Sequence, residues 1–192
     1  FAIAEKYRSM GEYKQAEAVL NEMQQTPLVM PRQAAYLSLA RIYYTQLQAE
    51  KAESYFWRAV DEIDDDVEAG IVFQDVKYIL TDQEYAEYQS SATIEQKKAF
   101  FRHLWAKRNP TPIAAINYRL SEHYHRLLYA EENYIYRGFR SRFSQVDRMG
   151  YIHYPASYKL NEEFNDKGLI YIRHGKPDEQ VVTQGSGVPV NE

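Results

Sequence analysis

The chain has 192 residues, enough for one domain or two small ones, and it buries an ample core without covalent staples. It has no cysteine, which excludes thiolate zinc sites and cysteine nucleophiles and leaves the redox compartment unread. The net charge of −4 is unevenly spread: the first ~92 residues carry about −8 and the remainder about +4, a change of sign that points to two modules.

The first 66 residues repeat. Gly11-Glu12-Tyr13-Lys14-Gln15-Ala16, followed by Leu20, Met23 and Pro27, places a small residue at a helix crossing and large apolar residues four and seven positions on. Tyr36, Leu39, Ala40, Tyr43, Ala52, Phe56 and Ala59 form a fuller copy about 36 residues later. The pattern resembles a tetratricopeptide repeat, half a unit and then a whole one, with Ala40 in place of the repeat's glycine and Asp64 in place of its last proline. That resemblance implies stacked antiparallel helices with a concave face for a peptide or partner domain, continued before Phe1 or leaning on the segment after residue 66. Tyr36 and Tyr43 are its candidate interaction residues. The acidic run Asp61–Asp66 reads as a frayed, solvated helix end. It lacks the glycine turn and closing glutamate of a calcium loop.

Residues 67–80 predict a short helix with Ile71, Val76, Ile79 and Leu80 inward. Thr81-Asp82-Gln83-Glu84 and Thr93-Ile94-Glu95-Gln96 are two capping boxes, each starting a new helix. The second helix carries Phe100, Phe101, Leu104 and Trp105 and ends at Asn109-Pro110-Thr111-Pro112, where proline removes a donor and turns its predecessor away from helix. Thr111 is expected to cap a long helix over 112–136, with Pro112 first and Ile113, Ile116, Leu120, Tyr124 or His123, Leu127 and Tyr134 as its apolar stripe. Trp105, Arg108, Asn109, Pro110, Thr111, Pro112 and Asn117 thus form a structural joint. Arg108 is expected to satisfy helix-end carbonyls or a buried acid across it, and Asn117 to bond backbone in the loop. Residues 139–160 predict a connection or weak hairpin. Gly168–His174 predicts a strand, and 181 onward another strand or a tail.

Two strings, Leu104-Trp105-Ala106-Lys107-Arg108-Asn109-Pro110-Thr111-Pro112 with Asn117 and Glu122, and Phe164-Asn165-Asp166-Lys167-Gly168 running on to Arg173-His174-Gly175-Lys176-Pro177-Asp178-Glu179, resemble the two signatures of the bacterial GWxTD domain. Of the naming pentapeptide Asp166 remains, with Glu162, Glu163 and Asn165 at the other named positions. The resemblance spans about residues 75–180. It implies an envelope protein, periplasmic or outer-membrane-associated, from a family often preceded by helical repeats and of unestablished biochemical role. It also implies that Leu169–Arg173 is an edge strand awaiting a pairing partner.

The fold expected is mainly α: tetratricopeptide-like helical repeats over 1–66, connecting helices over 67–92, and a helical to α+β module with a short strand region over 93–192. Glu122 and His125 have the spacing of a carboxylate-bridged metal site but lack a second copy on a facing helix, and His123 reads as a hydrogen-bonded core histidine. Arg173, His174 and Lys176, around Gly175, could meet a phosphate, sugar or carboxylate, or form a plain turn balanced by Asp178 and Glu179. Arg137, Phe139, Arg140 and Arg142, with Arg148, form an arginine-aromatic segment for an acidic partner surface or for pairing within the chain to Glu131, Glu132 and the acidic repeats; nucleic acid is not expected, for no motif accompanies it. No apolar run reaches the ~18–20 residues that cross a bilayer, so membrane association is expected through a segment or partner outside the chain. The function expected is a non-catalytic interaction or scaffold subunit among other proteins of an envelope complex, with no catalytic residue, metal or cofactor. The alternative is an enzyme or ligand-binding protein acting on an envelope polymer or peptide, through Glu122, His125 or His174.

Overall fold

Gly11, at φ +78°, makes the left-handed turn that lets α1 (Ala2–Ser9) fold back on α2 (Tyr13–Gln25). A second hairpin comes next, α3 (Arg32–Thr45) and α4 (Ala49–Asp61), and this time the positive φ falls on a leucine, Leu47. The computed structural model describes residues 1–25, 31–136 and 155–179, and these are mainly helical. α4 buries Ala52, Phe56, Ala59 and Val60 on one face. α3 is buried nearly all round, touching α2, α4, α5 and α8, so it is the axis about which the others pack. Tyr36 and Tyr43 belong to this core, at 0% and 1% exposure, and not to a partner-binding groove. Their hydroxyls alone reach the rim, donating to Glu62 (2.8 Å) and to Glu17. Burial and those acids hold both phenols above their ordinary pKa.

The acidic run is divided between two elements. Arg102 pairs with Asp61, while Asp65 caps α5 (Asp66–Val76) by accepting the Glu68 N–H at 2.8 Å. Asp66 and Glu68 occupy that helix's first turn, where the dipole favours negative charge, so the run begins a helix instead of fraying one. A 3₁₀ turn, Lys77–Ile79, leads to Thr81, whose capping box starts α6 (Asp82–Ser90), and Thr93 closes the same box ahead of α7 (Ile94–Arg108).

Past the joint, α8 (Tyr118–Asn133) starts later than the prolines suggest. Its cap is Asn117, which accepts from the N–H groups of Arg119 (3.1 Å) and Leu120 (3.2 Å). Thr111 caps nothing there: its own N–H is drawn back to Asn109 Oδ1 at 3.0 Å, and Ile113, expected in the apolar stripe, is 98% exposed. After the short α9 (Ala156–Lys159), residues Asp166–His174 form α10, where the spacing suggested a strand. Asn165 accepts the Gly168 N–H at 2.9 Å and starts the helix, which buries Leu169 and Ile172 three apart and leaves Ile170 exposed. Sheet-like pairing among the described residues is an antiparallel bridge between Ile135 and Phe164, tied by Tyr136 N to Glu163 O and Asn165 N to Tyr134 O. Gly168 sits against that bridge so closely that a Cβ there would lie 2.6 Å from the Cβ of Tyr134. The edge strand expected at Leu169–Arg173 is replaced by this helix. Arg137, Phe139, Arg140 and Arg142, with most of the expected connection and the segment from 181, lie outside the described residues.

One hydrophobic core runs from Ala4 to Ile172. The boundaries read at 66/67 and 92/93 fall beside the caps Asp65 and Thr93, and the core continues across both.

Candidate functional site

The joint is built on Trp105, fully buried, with its ring 6.2 Å from Phe56 of α4 and 5.3 Å from His123 of α8. Tyr124 stacks on Tyr44 of α3 at 4.7 Å and meets Phe56 edge-on, so four helices converge on one aromatic cluster. Asn117 secures the turn beneath it: its amide donates to Trp105 O at 2.8 Å, and its backbone N–H donates to Glu53 of α4 at 2.7 Å. Arg108 grips Glu84 with two bonds of 2.7 Å and reaches the carbonyls of Leu104 and Ile79 as well. Burial would raise the Glu84 carboxyl, but the Arg108 bonds and the Thr81 cap outweigh it and lower the pKa to about 2. Asn109, at the end of α7, together with Pro110, Thr111 and Pro112, shapes the exposed bend outside this cluster.

A second polar centre is hidden in apolar runs. Asp75, 3% exposed on α5, accepts from Arg41 Nη2 (2.7 Å) and from the Tyr124 hydroxyl (2.8 Å), while its carbonyl lies 2.8 Å from His123 Nε2. Arg41 also lies 3.4 Å from Glu131, which Arg8 of α1 shares. Its signal in the sequence is a charge set among mostly apolar residues, Val72-Phe73-Gln74-Asp75-Val76 and Leu39-Ala40-Arg41-Ile42.

Behind the joint, α7, α8, α10 and the 3₁₀ turn line a partly open cavity of about 180 Å³. Arg108, Arg119, Arg126, Arg173, His123 and His174 line it. Arg119 and Arg126 both pair with Glu122, and Arg126 also donates to Arg173 O at 3.1 Å. Arg173 donates to the carbonyls of Tyr78 (3.1 Å) and Leu80 (3.3 Å) and to Ser157, and it pairs with no carboxylate among the described residues. Gly175, at φ +87°, leaves room for the Arg126 guanidinium, since a Cβ there would come within 2.9 Å of it. Lys176 is exposed and lies outside the lining. Glu122 and His125 part company: the acid is held between two guanidinium groups, and His125 Nε2 lies 3.2 Å from Tyr44 O. No group of three or more metal-binding side chains occurs among the described residues. His123 is a core histidine lowered by burial to a pKa of about 4, and its Nδ1 is buried without a partner. Arg119 and Arg126 escaped the sequence reading although Arg119, His123 and Arg126 fall at i, i+4 and i+7 of one helix face.

A second, more open cleft of about 520 Å³ lies where the joint loop meets the α3–α4 turn. Leu47, Lys51, Ala115, Ile116 and Tyr118 line it. Leu47 is 79% exposed and Tyr118 53%, and Ile113 stands out on the same loop. No helix among the described residues is long and apolar enough to cross a membrane. Compared with family models, curated proteins and solved structures, the chain matches none of them.

Proposed function

We propose that this chain is a non-catalytic interaction subunit of a bacterial envelope assembly, in which tetratricopeptide-like hairpins are fused to a GWxTD-like helical module. The compartment rests on the two GWxTD-like strings, and the repeat reading on the buried pattern Tyr36, Leu39, Ala40, Tyr43, Ala52, Phe56 and Ala59. One observation carries the interaction reading: Leu47 and Tyr118 stand exposed around a single cleft at the joint. Isolated apolar residues on a surface need no explanation, but large ones gathered at an open cleft mark a contact site. The occupant is another protein of the assembly, anchored by an apolar side chain between Leu47 and Tyr118.

Of the acid and base candidates of the enzyme alternative, Glu122 is shared by two arginines and His125 faces a carbonyl on α3, while His174 stands beside those arginines in the lining of the smaller cavity. The test is a photocrosslinking residue placed at Leu47 or Tyr118 in the native membrane fraction, with Glu12, which is exposed on the turn before α2, as the control position. The expected result is a discrete partner band from the cleft positions, absent at position 12 and lost in Leu47→Glu. Extraction of the protein alone and monomeric, with no crosslink from the cleft, would overturn the reading.

A further inference from the structure

The interaction reading makes no use of the arginine cavity. Four guanidinium groups line it, and among the described residues they pair with two carboxylates, Glu84 on Arg108 and Glu122 between Arg119 and Arg126, which leaves two positive charges in excess. Arg173 is the centre of that excess. Its hydrogen bonds among the described residues, to Tyr78 O, Leu80 O and Ser157, all leave from Nη1, so Nε and Nη2 are not engaged. Neither of them is one of the buried nitrogens shut away from water without a partner. Arg119 likewise meets Glu122 through Nη1 alone, and its side chain is half-exposed.

Charge and direction together narrow what fits. Cations gathered on one wall repel each other unless negative charge stands among them, and two excess charges are balanced by a dianion. Arg119 and Arg126 come from successive turns of α8, while Arg173 comes from the last turn of α10. A planar carboxylate presents two oxygens in one plane and suits a single guanidinium fork. A tetrahedral ion presents oxygens on every side, so forks from separate helices can each find one. At about 180 Å³ the space is below the ~300 Å³ where drug-sized ligands begin, which limits it to such an ion or to the charged end of a longer molecule entering by the open side.

We propose that this cavity binds a tetrahedral dianion, the chemistry shared by sulfate, hydrogen phosphate and the phosphoryl end of a monoester, with Arg119, Arg126 and Arg173 holding its oxygens. Two groups of the protein compete for the same charge. Glu122 holds Arg119 and Arg126, and the C-terminal end of α10 draws Arg126 to the Arg173 carbonyl at 3.1 Å. The carbonyl is a neutral dipole and lowers the excess without cancelling it. Glu122 is a full charge, so removing it should strengthen the site.

Calorimetric titration of the whole chain at pH 7.5 and fixed ionic strength tests this, using sulfate, inorganic phosphate, glycerol phosphate and acetate. The expected result is one site that takes sulfate and phosphate with similar affinity, each about tenfold more tightly than acetate. Glycerol phosphate binding more tightly than phosphate would support an organic ester as the source, and weaker binding would support the free ion. Arg119→Gln should weaken sulfate about tenfold with helicity unchanged, and Glu122→Gln should tighten it by a similar factor. Arg102→Gln, which alters an arginine outside the cavity, should bind as the parent does. No binding of sulfate or phosphate, acetate binding as well as they do, an Arg119→Gln variant equal to the parent, or a loss as large in Arg102→Gln would each overturn the proposal. Glu122→Gln that fails to tighten sulfate would overturn it too, and the four-ligand comparison on the unaltered protein stands whatever the variants do to folding.

Discussion

In α1–α4 the surfaces that meet are apolar and aromatic at helical spacing, with a few polar groups, such as the tyrosine hydroxyls, directed to acids at the rim. In α5–α10, and where α5 meets Arg41 of α3, the contacts that decide geometry are polar and link residues far apart in sequence: Asp75 to Arg41 and Tyr124, Glu84 to Arg108, Asn117 to Trp105 O, and Arg173 to Tyr78 O. Apolar packing tolerates exchange of shape at constant volume, whereas a buried polar group fails when its one partner is lost. The first half should therefore be forgiving and the second brittle.

The largest expected effect breaks a buried charge. Asp75→Asn keeps the shape but removes the ion pair with Arg41, and should cost about 3–5 kcal/mol in urea unfolding. Leu39→Met in the first half should cost under about 1.5 kcal/mol. Equal losses would end the distinction.

Acid provides the next contrast. Burial depresses His123 from 6.5 to about 4, so the unfolded chain binds its proton first, and stability that is complete above pH 6.5 falls as pH drops toward 4. The shift corresponds to about 3 kcal/mol at pH 4 and below. The first 102 residues contain no histidine. Hydrogen exchange at pH 5 should therefore show opening around α7 and α8 first, and His123→Gln should flatten the profile between 6.5 and 4.

Gly168→Ala forces a methyl against Tyr134 and should cost about 1–3 kcal/mol, seen as faster exchange across α10 with α1–α4 unchanged. The smallest pair concerns caps. Asn117→Ala should lose about 1–2 kcal/mol and Thr111→Ala no more than about 0.5, because only Asn117 holds the free amides of α8.

The same division decides what could be read from the sequence. Burial at Ala52, Phe56 and Ala59 follows from spacing alone, and both capping boxes follow from local chemistry, because everything each needs lies within a few residues. The strand expected at Gly168–His174 fails partly on a local signal, the Asn165 cap, and partly for the opposite reason. Leu-Ile-Tyr-Ile has strand propensity, but Asn165 caps it, and the close fit of Gly168 to Tyr134 is set by residues more than thirty positions away. Local chemistry favours Thr111 over Asn117 as the cap, because the Trp105 carbonyl and Glu53, which fix Asn117, are invisible at that range. The arginine cavity needs four elements to come together, and only its Arg173-His174 corner can be suspected beforehand.

Leu47 combines two unfavourable circumstances, a left-handed backbone that costs a leucine roughly 1–2 kcal/mol and a side chain left in water. The docked protein proposed for the cleft would relieve only the second. Replacing Leu47 with glycine would relieve both at once, so the purified chain should melt later while the proposed partner holds the cleft less tightly, thermal resistance and cohesion moving in opposite directions through one turn.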